Sequence, residues 1–295
     1  MSAKFMLAVS ATAVLAAWLS SAAAGEGRRC ATASPSPAQV AASQRLASSS
    51  AQRLAVSFPR EGITIPVAFH VVYQSGTGGI VGDVADTDFE EQVKVLNEAY
   101  IGTGFKFSLS SVDRTENATW FRSCMGGKNA AMKNALAIDP AQVLNVYTCD
   151  PDTGDLGLAT FPQDYAESDA RHGVVVGYGT LPNGKDKDYN LGATLVHEVG
   201  HYLGLYHTFE PGYNKDGCAA PGDGVVDTAY ERTPAFGCDL TRDSCRSNIG
   251  KNIGKDPVIN YMDYSDDACM REFSLGQINL AQQSVGKWRP SLLAP

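Results

Sequence analysis

From Ile63 onward the chain alternates between two hydrophobic rhythms. ITIPVAFHVVYQ (63–74) is rich in β-branched and aromatic residues and reads as a strand. DTDFEEQVKVLNEAY (86–100) places Phe89, Val93, Leu96 and Tyr100 at helical spacing, with Asp86 or Thr87 expected as its N-cap. A strand, FKFSLSSV (105–112), and a weaker helix, GKNAAMKNALAI (127–138), come next, then strands at LNVYT (144–148) and GVVVGYG (173–179). This β-α-β-α-β order predicts an α+β architecture in which a mixed sheet is backed by helices. NLGATLVHEVGHYLGL (190–205) reads as a helix ended by Gly204. Past His207 the periodicity fades into Gly, Pro, Asp and Cys, until SLGQINLAQQSVGKW (274–288) restores a helical pattern.

Ahead of the first strand the texture differs. The opening MSAKFMLAVSATAVLAAWLSSAAAGEG has a basic residue, Lys4, near its start, then an apolar run from Phe5 to Leu19 and an A-x-A-like site at Ala22 and Ala24. It reads as a secretory signal, because about 15 apolar residues fall short of the ~20 that span a bilayer. Residues 31–57 are rich in Ala, Ser and Gln and almost lack large apolar groups, so the segment is expected to wrap or link rather than form a core. The expected boundaries are a signal at 1–24, a propeptide at 25–58 and the main domain at 59–295. That domain divides into an upper subdomain, 59–204, and a lower one, 205–295.

Composition narrows the partners. The formal charge of −8 argues against nucleic acid, and after signal removal no membrane partner is expected. A secreted, extracellular monomer is the expectation. Secretion permits disulfides, and seven cysteines leave at least one outside an intramolecular pair. Asn117-Ala118-Thr119 is a candidate glycosylation site in an expected surface loop. His70, inside the first strand, and His172 read as structural.

Three of the five histidines fall in HEVGHYLGLYH (197–207). Positions i and i+4 share a helix face, so His197 and His201 can address one metal ion, with His207 returning as a third ligand beyond Gly204. Three nitrogens and an open position make a catalytic zinc site, and Glu198 beside the first ligand can act as general base and acid on a peptide bond. A structural zinc site would close all four positions, often with Cys, and none lies near the motif before Cys218. A chance match to three His, a Glu and a Gly at these spacings is expected in roughly one chain in 10^5.

HEVGHYLGLYH resembles the extended motif of the metzincin metalloproteases. NYMDYS (260–265) resembles their Met-turn. The wider run through GDGVVDT (222–228) to NYMDYSDDACMREFSLGQ is similar to the pappalysin family, especially its secreted microbial and fungal members. The resemblance implies a zinc endopeptidase acting on protein or peptide substrates, with an irregular, disulfide-rich C-terminal subdomain. It implies Met262 as a floor beneath the metal and Tyr264 as oxyanion stabiliser; without it, both read as packing residues. Asp267, in DYSDD, is the candidate wall of a pocket favouring Arg or Lys after the scissile bond, against the alternative of a solvated acidic loop. GDGVVDT offers Asp223, Asp227 and Thr228 for Ca²⁺, or a plain Asp-Gly turn. The family also implies disulfides Cys218–Cys245 and Cys238–Cys269, leaving Cys124 and Cys149 as a candidate third pair.

Cys30, in RRCATASP, suits a latency switch in which a propeptide thiolate takes the open metal position, aided by Arg28 and Arg29. Pappalysin relatives carry Gly-Thr after this Cys; here Ala31 and Thr32 follow. The switch predicts activation by mercurials and cleavage between Arg45 and Arg60. Two other functions remain open. A catalytically dead binding module would be expected to lack Glu198 or a ligand, and none is lacking. A zinc amidase for small substrates is the other.

Overall fold

The computed structural model describes residues 29–49, 58–127, 129–210, 218–220, 222–245 and 254–294. The expected signal, Arg28 and part of the expected cleavage region lie outside them. The sheet is ordered β3–β1–β4–β6–β5. Strands β1 (Ile63–Gly76), β3 (Phe105–Glu116), β4 (Leu144–Cys149) and β6 (Val174–Gly177) run parallel, and β5 (Gly157–Ala159) closes the edge antiparallel to β6. β2 (Gly79–Val81) turns back on the end of β1.

Burial on both faces explains why β4 and β6 lack polar alternation. On one face Val67, Phe69, Val146, Val174 and Val176 meet α2 (Asp86–Ala99) through Phe89, Val93 and Leu96, and α5 (Ala193–Tyr202) through Leu195, Val196 and Val199. On the other, Val72, Tyr147 and Val175 meet α3 (Ala118–Ser123) and α4 (Asn129–Leu136) through Phe121 and Met132. Helix α6 (Leu275–Trp288) completes the first core with Leu280 and Val285, and Ser274 and Gln277 form a capping box at its start.

Three expectations change. The N-cap of α2 is Ala85, without a side-chain bond, because Asp86 is drawn into the first turn, where its carboxylate accepts from Arg114 at 2.6 Å. The glycosylation segment is not a plain loop: Asn117 Oδ1 accepts from Trp120 N at 3.0 Å and starts α3. Within 31–57, Pro37–Ser49 forms α1, which docks on α6 and buries Val40 against Phe161 and Tyr206.

Three disulfides are present, Cys124–Cys149, Cys218–Cys245 and Cys238–Cys269, and Cys30 is free and buried. The latter two bridges staple a stretch, 205–274, in which the described residues form no helix or multi-residue strand. No helix among the described residues is long and apolar enough to cross a membrane.

Candidate active site

Asp267 sits at the N-terminus of α5, its Oδ2 accepting from Leu191 N at 2.9 Å and Ala193 N at 3.1 Å. From that start the helix carries His197 and His201 one turn apart, with ring centroids 4.7 Å apart. Gly204 (φ 102°) then ends it in the left-handed region, and Leu205 N bonds back to Gly200 O at 2.9 Å. The reversal brings His207 to the same point. His201 Nε2 lies 3.1 Å from His197 Nε2 and 3.1 Å from His207 Nε2.

These short contacts decide what the cluster fits. Each imidazole faces an oxygen through Nδ1: Tyr261 O for His197 at 2.7 Å, Leu205 O for His201 at 2.8 Å, and Glu210 Oε1 for His207 at 3.0 Å. Donation through Nδ1 leaves a lone pair on Nε2. Burial pushes His207 down to about 3 and the other two well below the ordinary range, so all three stay neutral. Neutral lone pairs facing each other at hydrogen-bond distance repel unless a cation lies between them. Tetrahedral zinc with N at ~2.0–2.1 Å sets its ligand nitrogens about 3.3–3.4 Å apart, close to this spacing. Cys30 Sγ completes the set, its donor atom and the three nitrogens all lying within 4.8 Å of one another. Among the described residues, no other group of three or more His, Cys, Asp or Glu is so arranged.

Glu198 is fully buried beside the cluster, and desolvation pushes its carboxyl up to about 8. Two glycines allow the close packing here. A β-carbon on Gly157 of β5 would overlap the Glu198 carboxylate, and one on Gly200 would overlap Met262 Sδ, which packs directly beneath α5. Tyr264 points its hydroxyl at His207 Nε2 (3.3 Å) and at Cys30 O (3.2 Å).

An extended arm, residues 29–36, runs through this cleft. Cys30 pairs with Gly157 as a parallel bridge, and Ala31 N donates to Gly157 O at 2.8 Å, so the arm adds to the sheet edge. Thr32 Oγ1 donates to Glu198 Oε2 at 3.1 Å and accepts from Ala159 N at 2.8 Å. Arg29 is 1% exposed and pairs with Asp267 Oδ1 at 2.6 Å, donates to Ser265 O at 2.7 Å, and lies over the Tyr189 ring at 5.0 Å. Asp267 is therefore a buried acid facing a basic side chain, not part of a solvated loop.

Other candidates separate from this centre. Asp223 accepts from Val225 N and Thr228 Oγ1, while Asp227 accepts from Ser274 Oγ and Gly276 N at the start of α6. The two carboxylates serve different partners, so the described residues give no calcium ligand set. His70 lies between Asp113 and Asn145 in β1, and His172 faces Tyr165 O; both are structural. Sequence reading missed Glu210 as a partner of His207 and Thr32 as a partner of Glu198. The spacing of His207 and Glu210, three residues apart, was a usable signal; the Thr32 contact, across 166 positions, was not.

Comparisons with known proteins agree with this geometry. The M43 peptidase family, described as pregnancy-associated plasma protein-A, matches residues 127–286. An extracellular metalloprotease of Pyricularia oryzae is 39% identical over 254 residues, covering 84% of this chain and 85% of its own. One from Colletotrichum graminicola is 37% identical over 272 residues, covering 90% and 92%. Among solved structures, mature mirolysin of Tannerella forsythia with a cleaved peptide superimposes with a TM-score of 0.64 at 26% identity, over 80% of this chain and 100% of its own. A promirolysin mutant shares the fold at a TM-score of 0.71 and 24% identity, over 90% and 97%. The chain is a metalloendopeptidase and belongs to the M43, or pappalysin, family.

Proposed function

We propose that this chain is a secreted zinc endopeptidase, made with a signal at 1–24 and a propeptide at 25–58, whose catalytic domain is 59–295. The observation that carries the reading is the convergence of three neutral Nε2 lone pairs beside a buried carboxylate. His197, His201 and His207 would hold the metal. When bound, zinc would supply a Lewis acid that polarises the scissile carbonyl and eases deprotonation of water. Glu198 takes the proton of the attacking water and delivers it to the leaving amine. Tyr264 donates its hydroxyl hydrogen bond to the oxyanion of the tetrahedral state. The close packing of Met262 beneath α5 supports its role as a rigid floor.

The same residues support latency. The Cys30 thiol stands among the three imidazoles and Thr32 engages Glu198, so the arm covers both the metal position and the proton carrier. Arg29 on Asp267 supports a pocket that selects a basic residue after the cut, because the arm fills it with the side chain a substrate would bring. The fungal relatives named extracellular metalloproteases support secretion.

The test is metal analysis of the purified protein, followed by hydrolysis of casein and a short-peptide panel by the activated enzyme, freed of residues 25–58, with and without chelator. One zinc per chain and chelator-sensitive cleavage of both substrates are expected. A zinc protein that cuts only small amides, or nothing, would favour one of the two competing functions.

A further inference from the structure

The three ligand imidazoles are not oriented alike. His197 and His201 are fixed along α5, and each donates Nδ1–H to a backbone carbonyl. His207 has no helix beneath it. Its ring lies between Phe209, stacked at 4.8 Å and 13°, and the edge of Tyr264 at 5.1 Å. These contacts limit ring tilt but leave open which nitrogen faces the cluster. Glu210 Oε1 resolves that choice at 3.0 Å, with both side chains buried, 3% and 2% exposed. The turn that presents the carboxylate closes on itself, since Glu210 N donates to His207 O at 3.2 Å.

We propose that Glu210 is the positioning residue of the third metal ligand, acting through His207 Nδ1. Glu210 Oε1 accepts from Nδ1–H at 3.0 Å, which keeps the Nε2 lone pair directed at the ion. It is the one side-chain acceptor on the three imidazoles, the other two facing backbone carbonyls. The proposal rests on the zinc reading above.

The experiment compares the secreted full chain with Glu210→Ala and Glu210→Gln. It reads the chelator concentration that removes half of the zinc and the melting temperature of each metal-free protein. Glu210→Ala should release zinc at a roughly 10- to 100-fold lower chelator concentration. Glu210→Gln keeps an acceptor and should stay within roughly threefold of wild type. The metal-free melting temperatures should coincide. Equal zinc retention in Glu210→Ala overturns the proposal, as does a metal-free Glu210→Ala protein destabilised as much as the loaded one, since that marks a structural role. If the wild type carries no zinc, the zinc reading itself has failed. Should Glu210→Ala not be secreted, proton NMR of the cobalt-loaded protein decides with Glu210→Gln. One of the three exchangeable Nδ1–H signals should move, and no movement overturns the proposal.

Discussion

Three imidazoles that donate outward and converge inward have little reason to meet in a neutral core, and the zinc reading makes sense of their 3.1 Å spacing. Removing one should therefore be felt at the metal before it is felt in the fold. His201→Ala leaves two nitrogens, and the protein should be isolated with less than a tenth of the wild-type zinc, about 1.4 kcal/mol or more in binding. Metal content near wild type would remove His201 from the ligand set. Tyr264 makes a different demand. Its hydroxyl faces Cys30 O and His207 Nε2 in this structure. In the activated enzyme Tyr264→Phe should lower kcat by roughly 10²- to 10³-fold with little change in KM, because an oxyanion contact forms mainly in the transition state. An unchanged kcat would make Tyr264 a packing residue.

At the scale of elements, Asp267 joins two tasks. Oδ2 holds the start of α5 and Oδ1 pairs with Arg29 of the arm. Asp267→Asn keeps an acceptor for the helix but removes the charge. Peptide-library profiling of the activated enzyme should then show loss of preference for Arg or Lys after the cut, with stability altered by less than about 1 kcal/mol. A preference that survives the substitution excludes Asp267 as its source. The 222–228 turn gives a pH test. Burial pushes the Asp223 carboxyl up to about 7, against 3.8 for the free group. Between those values the folded state holds a proton the unfolded chain has released, so this group makes stability fall as pH rises from 4 to 7. Asp223→Asn should flatten that slope in melting temperatures taken across the window. An unchanged slope would assign the pH dependence to other groups, and a Ca²⁺-dependent melting temperature lost in the variant would revive the calcium alternative.

The same scale shows what the sequence made legible. The long strands and α2, α4, α5 and α6 carried their own periodicity, because each buries a broad face against the sheet or its neighbours. β5 has three residues, too few for any pattern, yet it is the edge on which Cys30 pairs. Helix α1 was hidden because Ala, Ser and Gln give no apolar stripe; Val40, in contact with Phe161 and Tyr206, anchors it, which only tertiary packing reveals. The candidate ligands were legible because helix geometry puts His197 and His201 on one face and Gly204 ends the helix just before His207, all within eleven residues. Thr32 on Glu198 and Arg29 on Asp267 join positions 166 and 238 apart, beyond any local rule.

For the whole molecule, the arm and the catalytic centre form a single buried unit, in which Arg29, Cys30 and Thr32 are each less than a tenth exposed. Such a precursor should be inactive until thiol-reactive mercurials or cleavage between Arg45 and Arg60 open it. Cys30→Ser should be active, or process itself, without added protease; a variant as latent as wild type would rule the switch out. The central claim, that a metal held by three histidines works with Glu198 as its proton carrier, meets its most direct test in Glu198→Ala. Zinc content and peptide turnover are measured on the same activated preparation. The account expects one zinc per chain, as in the wild type, and turnover lowered by roughly 10²- to 10⁴-fold. Full zinc with wild-type turnover would contradict it.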